Sequence, residues 1–213
     1  MGSAELSSKQ VVIYSHIITY GNYASREVTN MIREEIESMW NEPGGIVSIH
    51  NIPVRVIFSI TAEFKPAITE LEIYKNLDPR NNYFRIENVA EGNISFVDGL
   101  GCNSGYFLVE NLYKGSTTAA HEYGHTLGLP HPSDTDHRGK GLPGIMFPRG
   151  TLVDPQYQYE PGNAAGTKGG TLFPIYRKVR QEDIQSLRLN RYRFNNNSAV
   201  IGSFTNVWHQ PHQ

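Results

Sequence analysis

The stretch His121-Glu122-Tyr123-Gly124-His125-Thr126-Leu127-Gly128-Leu129-Pro130-His131 decides how this chain is read. On an α-helix, residues four apart lie one turn above each other on one face. His121 and His125 can therefore offer two imidazole nitrogens to one metal ion. Glu122 stands beside them, placed to reach a metal-bound water rather than the metal. Gly128 lets the chain leave the helix in a left-handed conformation, and His131 can then return as a third ligand. Three neutral imidazoles and one open position describe a catalytic zinc site rather than a closed structural one. The competing reading, a helix whose histidines merely face solvent or core, does not account for the full eleven-residue pattern.

Working outward, the helix carrying this stretch begins near Thr117, with Ser116 or Thr117 as its cap. Upstream, residues 11–19 (VVIYSHIIT) read as a strand from their β-branched and aromatic content. Val28, Met31, Ile32, Ile36, Met39 and Trp40 recur at helical spacing after a Ser25 cap, with Arg33, Glu34 and Glu37 facing outward. Residues 46–64 return to strand character, with Pro53 breaking or bulging the run. Residues 65–92 have mixed character and receive no assignment. Short strands are expected at 94–98 and 105–109 around a glycine-rich turn. Between Gly139 and Gly170 the eight glycines and four prolines predict a long irregular loop. A last helix is expected near 180–190, with Ile184, Leu187 and Leu189 inward and Glu182 and Asp183 in its first turn. This order predicts an α+β fold, a mixed twisted sheet with helices packed on it.

The zinc stretch resembles the signature of the metzincin metallopeptidases, HExxHxxGxxH, in a divergent form. Metzincins also have a methionine-containing turn below the metal, and Gly144-Ile145-Met146-Phe147-Pro148 is the matching segment here. The resemblance implies that Met146 packs beneath the imidazoles as an apolar floor without ligating zinc. His131-Pro132-Ser133-Asp134 resembles the serralysin pattern, whereas Ile145-Met146-Phe147-Pro148 is closer to the matrixin turn. Serralysins and astacins have a tyrosine where Pro148 stands, so a tyrosine that switches onto zinc is not expected, and serralysin's calcium-binding repeats are missing. The implied architecture is an upper sheet subdomain with a backing helix and an active-site helix, then an irregular lower subdomain closed by a C-terminal helix. On that basis residues 1–10 are a flexible start and residues 11–213 one catalytic domain, divided near 128/129. The resemblance further implies that an extended peptide pairs with an exposed sheet edge, expected at 105–109, and that loop 147–170 walls the pocket beyond the scissile bond.

Composition narrows the alternatives. The chain has 213 residues, enough for a self-sufficient core, and its 38% hydrophobic and 19% charged residues suit a folded globular protein. A net charge of −2 without a basic block argues against nucleic-acid binding. The longest apolar runs, such as Val11–Tyr14, fall far short of a membrane span. Cys102 is the single cysteine, which excludes an internal disulfide and a cysteine-built zinc site; it reads as a small buried or turn residue. Lys9 precedes only a short apolar stretch interrupted by His16, which is no secretory leader; the expectation is a secreted protein whose leader is not in this chain. Asp98, Gly99 and Asn103 are weak candidates for a structural calcium loop, and Asp136 with His137 for a second metal. His16, His50, His209 and His212 read as structural or surface residues.

The expected activity is zinc-dependent endopeptidase chemistry on protein or peptide substrates by a monomer. Glu122 serves as general base toward the zinc-bound water and then protonates the leaving amine. The alternatives are a zinc-containing but catalytically silent peptide- or partner-binding module, against which the presence of Glu122 counts, and a toxin or effector protease domain released from a larger protein.

Overall fold

The computed structural model describes residues 1–212. Its central strand, β2 (Gln10–Tyr20), is buried along one face for its whole length and on the other only at Ile18 and Tyr20, with Val12, Tyr14 and His16 half-buried. β4 (Ile52–Phe64) runs parallel along one side of it. Two strands share the other side. β1 (Gly2–Leu6) pairs antiparallel with Val11–Tyr14, and β5 (Asn81–Glu87) pairs parallel with His16–Tyr20. β3 (Ile46–Ile49) closes one edge against β4. Beyond β5 come β7 (Ser104–Leu108), parallel, and then the two-residue edge strand β6 (Phe96–Val97), antiparallel. The order is β3-β4-β2-β5-β7-β6, with β1 and β8 (Ser198–Ile201) as a side branch on β2.

The backing helix α1 (Arg26–Asn41) forms as its spacing predicts. The Ser25 hydroxyl accepts from the Val28 N–H at 3.2 Å, and Ile32, Ile36 and Trp40 are buried against the sheet. Glu37 departs from the expected outward face: its carboxylate accepts from the Ile60 N–H of β4 at 3.1 Å while Arg33 holds it from the solvent side. Pro53 breaks nothing. It stands opposite Ser48 in the β3–β4 hairpin, and the β4 ladder with β2 begins only at Arg55, so its missing N–H falls outside that ladder. His50 and Asn51 turn the hairpin with φ of 50° and 64°, the positive pair that a two-residue connection needs.

The unassigned stretch 65–92 contains the short helix α2 (Glu70–Tyr74), with a Thr69–Glu72 capping box, and β5. The glycine- and proline-rich segment is irregular as expected. It is pinned by isolated bridges at Asp136–Leu152, Gly144–Lys178 and Gln158–Leu172, and by the Tyr159–Phe173 ring stack at 4.7 Å. The last helix, α4 (Gln181–Ser186), is shorter than predicted because Arg188 turns left-handed and a single 3₁₀ turn over Leu189–Arg191 follows. Ile184, Leu187 and Leu189 are buried as expected.

Two expectations about organisation are corrected. Residues 1–10 are not a flexible start: β1 lies between β2 and β8, and Ala4 is fully buried. The Met1 carbonyl accepts from the Ser15 hydroxyl and the Asn82 amide. Nor does the chain stay in a lower subdomain after residue 129, because β8 returns to the sheet and residues 203–207 bond to Asn103 and Ser104. No helix among the described residues is long and apolar enough to cross a membrane.

If β1 is a paired interior strand, its amides exchange slowly. Hydrogen–deuterium exchange should show residues 3–6 protected by at least ~100-fold over an unstructured reference peptide; exchange at the free-peptide rate would contradict the pairing.

Candidate metal centre

α3 (Thr118–Thr126) carries the first half of the zinc stretch and is fixed from several directions. Beneath it, the Trp40 indole N–H donates to the Ala120 carbonyl at 3.0 Å, and the Tyr123 hydroxyl meets the Ser15 hydroxyl at 2.8 Å. Its N-terminus is capped from another element. Glu35 of α1 accepts from the Ala120 N–H at 3.1 Å, placing an anion where the helix dipole favours one. Burial raises the Glu35 pKa even so, with the Ala120 and Ala119 N–H groups opposing the rise. Of the two expected caps, the Ser116 hydroxyl accepts from the Thr118 N–H at 3.3 Å, whereas the Thr117 side chain caps nothing.

Thr117 is left-handed at φ 58°, a strained conformation for a β-branched residue. Its hydroxyl donates to the Pro174 carbonyl at 2.9 Å and accepts from the Arg177 Nε–H at 2.8 Å, which holds it there. At the other end, Gly128 takes φ 89°, and the Leu129 N–H returns to the Gly124 carbonyl at 3.0 Å.

His121, His125 and His131 converge as the sequence predicts. Their Nε2 atoms meet, His131 lying 3.0 Å from His121 and 3.1 Å from His125. The Nδ1 atoms decide what that means. His121 Nδ1 lies 2.7 Å from the Ile145 carbonyl, and His125 Nδ1 lies 2.7 Å from the Leu129 carbonyl. A carbonyl oxygen can only accept, so both Nδ1 atoms carry the proton and both neutral rings point a bare Nε2 lone pair at His131. Protonating the rings instead is disfavoured. Burial lowers the His121 pKa far below the usual value, takes that of His125 to about 4, and lowers that of His131. One His131 proton could serve only one of the two facing lone pairs. The donor set fits a zinc ion, since nitrogens on ~2.0 Å bonds in a tetrahedral site stand about 3.3 Å apart. Among the described residues this is the only group of three or more His, Cys, Asp or Glu side chains that could share an ion.

Met146 is buried beneath α3, and Gly124 is the residue that admits it: a Cβ at Gly124 would overlap Met146 Sδ and lie 3.2 Å from Trp40. The segment 144–148 also supplies the Ile145 carbonyl to His121. Asp183 of α4 lies behind this turn, accepting from the Arg180 N–H at 2.8 Å, and the nearby Ile145 N–H favours its charged form. Burial raises the Asp183 pKa to about 6.

Glu122 is 6% exposed and faces a cleft of about 550 Å³ walled by residues 94–97, the three histidines and Pro148–Gly150. Burial raises its pKa to about 8, against the opposing pull of Arg177 and Arg149 and a bond from the Val97 N–H. The sheet edge on this cleft is β6, not the 105–109 strand expected from the sequence. β7 is buried between β5 and β6. The calcium and second-metal candidates are taken up otherwise. Asn103 Oδ1 accepts from the Thr205 and Asn206 N–H groups, Asp98 pairs with His209 at 2.9 Å, and Asp136 pairs with Arg138. His137 Nε2 lies 3.2 Å from the Leu142 carbonyl. Cys102 is half-buried in the turn before β7. The residues that sequence reasoning missed are Glu35, Arg177, Thr118 and Ile145; only position relative to α3 identifies them.

No protein-family model matches this chain, and no curated protein does. Among solved structures, the chain is similar to archaemetzincin from Methanopyrus kandleri, at 12% sequence identity and a TM-score of 0.40, over 83% of this chain and 95% of that one.

Two predictions follow from the supports of the triad. Gly124→Ala gains about 1 kcal/mol of helix propensity but forces Met146 aside in a packed core, which costs about 1–3 kcal/mol. Thermal denaturation should show net destabilisation, and a chelator competition should show weaker zinc binding, because Ile145 moves with its neighbour. Asp183, with its folded pKa above the unfolded value of a carboxylate, stabilises the fold at low pH, and that contribution is lost as pH rises from about 4 through about 6. Asp183→Asn should remove this dependence, with a difference on the order of 1–2 kcal/mol across that window after allowance for solvent screening. Parallel stability–pH curves would contradict it.

Proposed function

We propose that this protein is a zinc-dependent endopeptidase acting on extended peptide segments. The observation that carries the reading is the convergence of three imidazole Nε2 atoms, with bare lone pairs on His121 and His125 facing His131, and the buried Glu122 carboxyl beside them in an open cleft. When bound, zinc supplies Lewis acidity, polarising the scissile carbonyl and acidifying water. The chain's own residues supply the rest. His121 and His125 are held as Nδ1–H tautomers by Ile145 and Leu129, so their Nε2 atoms stay available as ligands. Glu122 takes a proton from the attacking water and returns it to the departing amine. Burial raises that carboxyl's affinity for a proton, which strengthens it as a base once ionised, and the charge of a bound zinc ion would favour the ionised form. The free edge of β6 offers backbone groups with which an extended substrate can pair, and Pro148–Gly150 forms the facing wall. Met146 remains a packing residue under the helix.

Glu122→Gln should retain one zinc per chain and lose ~10²–10⁴-fold in kcat on a quenched fluorescent peptide library. His131→Ala should bind zinc at least ~10-fold more weakly in a chelator competition. Near-normal turnover by Glu122→Gln would refute its role as the base. One zinc per chain with no cleavage of any peptide by the wild type would favour the silent binding module.

A further inference from the structure

One part of the cleft is not used by this chemistry. Thr118 lies one helical turn before Glu122 on the same face of α3. It lines the cleft, is 4% exposed, and its hydroxyl has no hydrogen-bond partner among the described residues. A buried hydroxyl without a partner is costly unless something else meets it. Arg177, 3% exposed, lines the same recess. Its bonds to Thr117 Oγ1 and to the Phe147 and Ser116 carbonyls use three of its five N–H groups. Arg149 closes the recess and is steadied by a 2.8 Å bond to Asn111 Oδ1. Neither guanidinium makes an ion pair among the described residues. The carboxylates that act most strongly on Arg177 are those of Glu122 and Glu35, and Glu35 bonds the start of α3.

We propose that this recess binds a carboxylate of the peptide substrate, accepting from the Thr118 hydroxyl and from the free N–H groups of Arg177 and Arg149, so that the enzyme selects an acidic residue or a free C-terminus beside the bond it cuts. The proposal rests on the peptidase reading above and adds the substrate class to it: an acidic side chain keeps the endopeptidase reading, whereas a free C-terminus would make the cut a carboxypeptidase one. Ile94, Phe96 and Pro148 line the same cleft, and in such apolar surroundings charge-assisted bonds to a carboxylate strengthen. An isosteric amide offers those donors a weaker acceptor and brings no charge. Discrimination between the two should be about 10–100-fold.

The test uses hexapeptides blocked at both ends, with Glu or Gln placed at each position in turn, and a third set in which Gln ends the chain with a free carboxylate. Cleavage by the zinc-loaded wild type is compared with calorimetric binding to zinc-loaded Glu122→Gln, which reads recognition without turnover. Glu should exceed Gln by at least ~10-fold at one position next to the cut, or the free-carboxylate set should show the advantage, which identifies the C-terminus as the source. Thr118→Val and Arg149→Gln should each shrink that ratio several-fold, and Thr118→Ser should restore it. Thr118→Val should melt no lower than wild type, because the hydroxyl it loses has no partner among the described residues. Equal cleavage and binding of Glu, Gln and free-carboxylate peptides would overturn the recess while leaving the peptidase intact. Preferential binding of carboxylates with no peptide cut would uphold the recess and overturn the peptidase. A preference untouched by Thr118→Val and Arg149→Gln would overturn the assignment to these residues.

Discussion

Two backbone carbonyls decide the character of this site. Because Ile145 and Leu129 can only accept, they place protons on His121 Nδ1 and His125 Nδ1 and strip them from the opposite nitrogens. The bare Nε2 atoms then crowd around His131, whose single ring proton can meet only one of them, whereas a shared ion would meet all three nitrogens. Leu129 is in place because Gly128 turns left-handed and sends the chain back toward the helix. Ile145 is in place because Gly124 lets the Met146 turn lie directly against α3. Both carbonyls trace to glycines of the same eleven-residue stretch that holds the histidines.

The remaining supports come from far along the chain. Glu35 and Trp40, successive turns of α1, bond to the N–H and the carbonyl of the same residue, Ala120. Asp183 of α4 lies close to the Ile145 N–H while the Ile145 carbonyl meets His121, so one peptide unit stands between the last helix and the metal position. This arrangement couples the fold to the triad. Anything that shifts α4 or α1 shifts a histidine.

The sequence made the triad, α1 and β2 legible because each depends on a local pattern: four residues between the helical ligands, three or four between buried positions, and a run rich in β-branched and aromatic residues. It concealed β5 because that strand buries Arg85 and Glu87, an ion pair at 2.6 Å, and Asn82, so its polar content looked like loop. β1 was hidden by its shortness and small residues; at Gly2 a side chain would run into Ser15 and Ile13 of β2. The edge strand was assigned one place too far inward because the order of β6 and β7 is set by a long-range pairing of β7 with β5, which local pattern does not encode. The second-layer residues were invisible for the same reason. Glu35 in a helix looks like any solvated glutamate until Ala120 is above it.

Arg177 shows how fold and recognition are divided around the cleft. Its Nε–H steadies Thr117 in a strained left-handed turn, and its other bonds tie Ser116 to Phe147, so the start of α3 and the segment after the methionine turn share one guanidinium. Burial lowers its pKa to about 10, yet at neutral pH it remains charged. A side chain with these duties cannot be exchanged without releasing the helix that carries the histidines. Thr118 and Arg149 are different: among the described residues one hydroxyl has no partner, and the other side chain is exposed and held by a single bond to Asn111. Selectivity for what enters the recess can therefore be altered at those two positions while the metal site stays in place, whereas a change at Arg177 would alter both together.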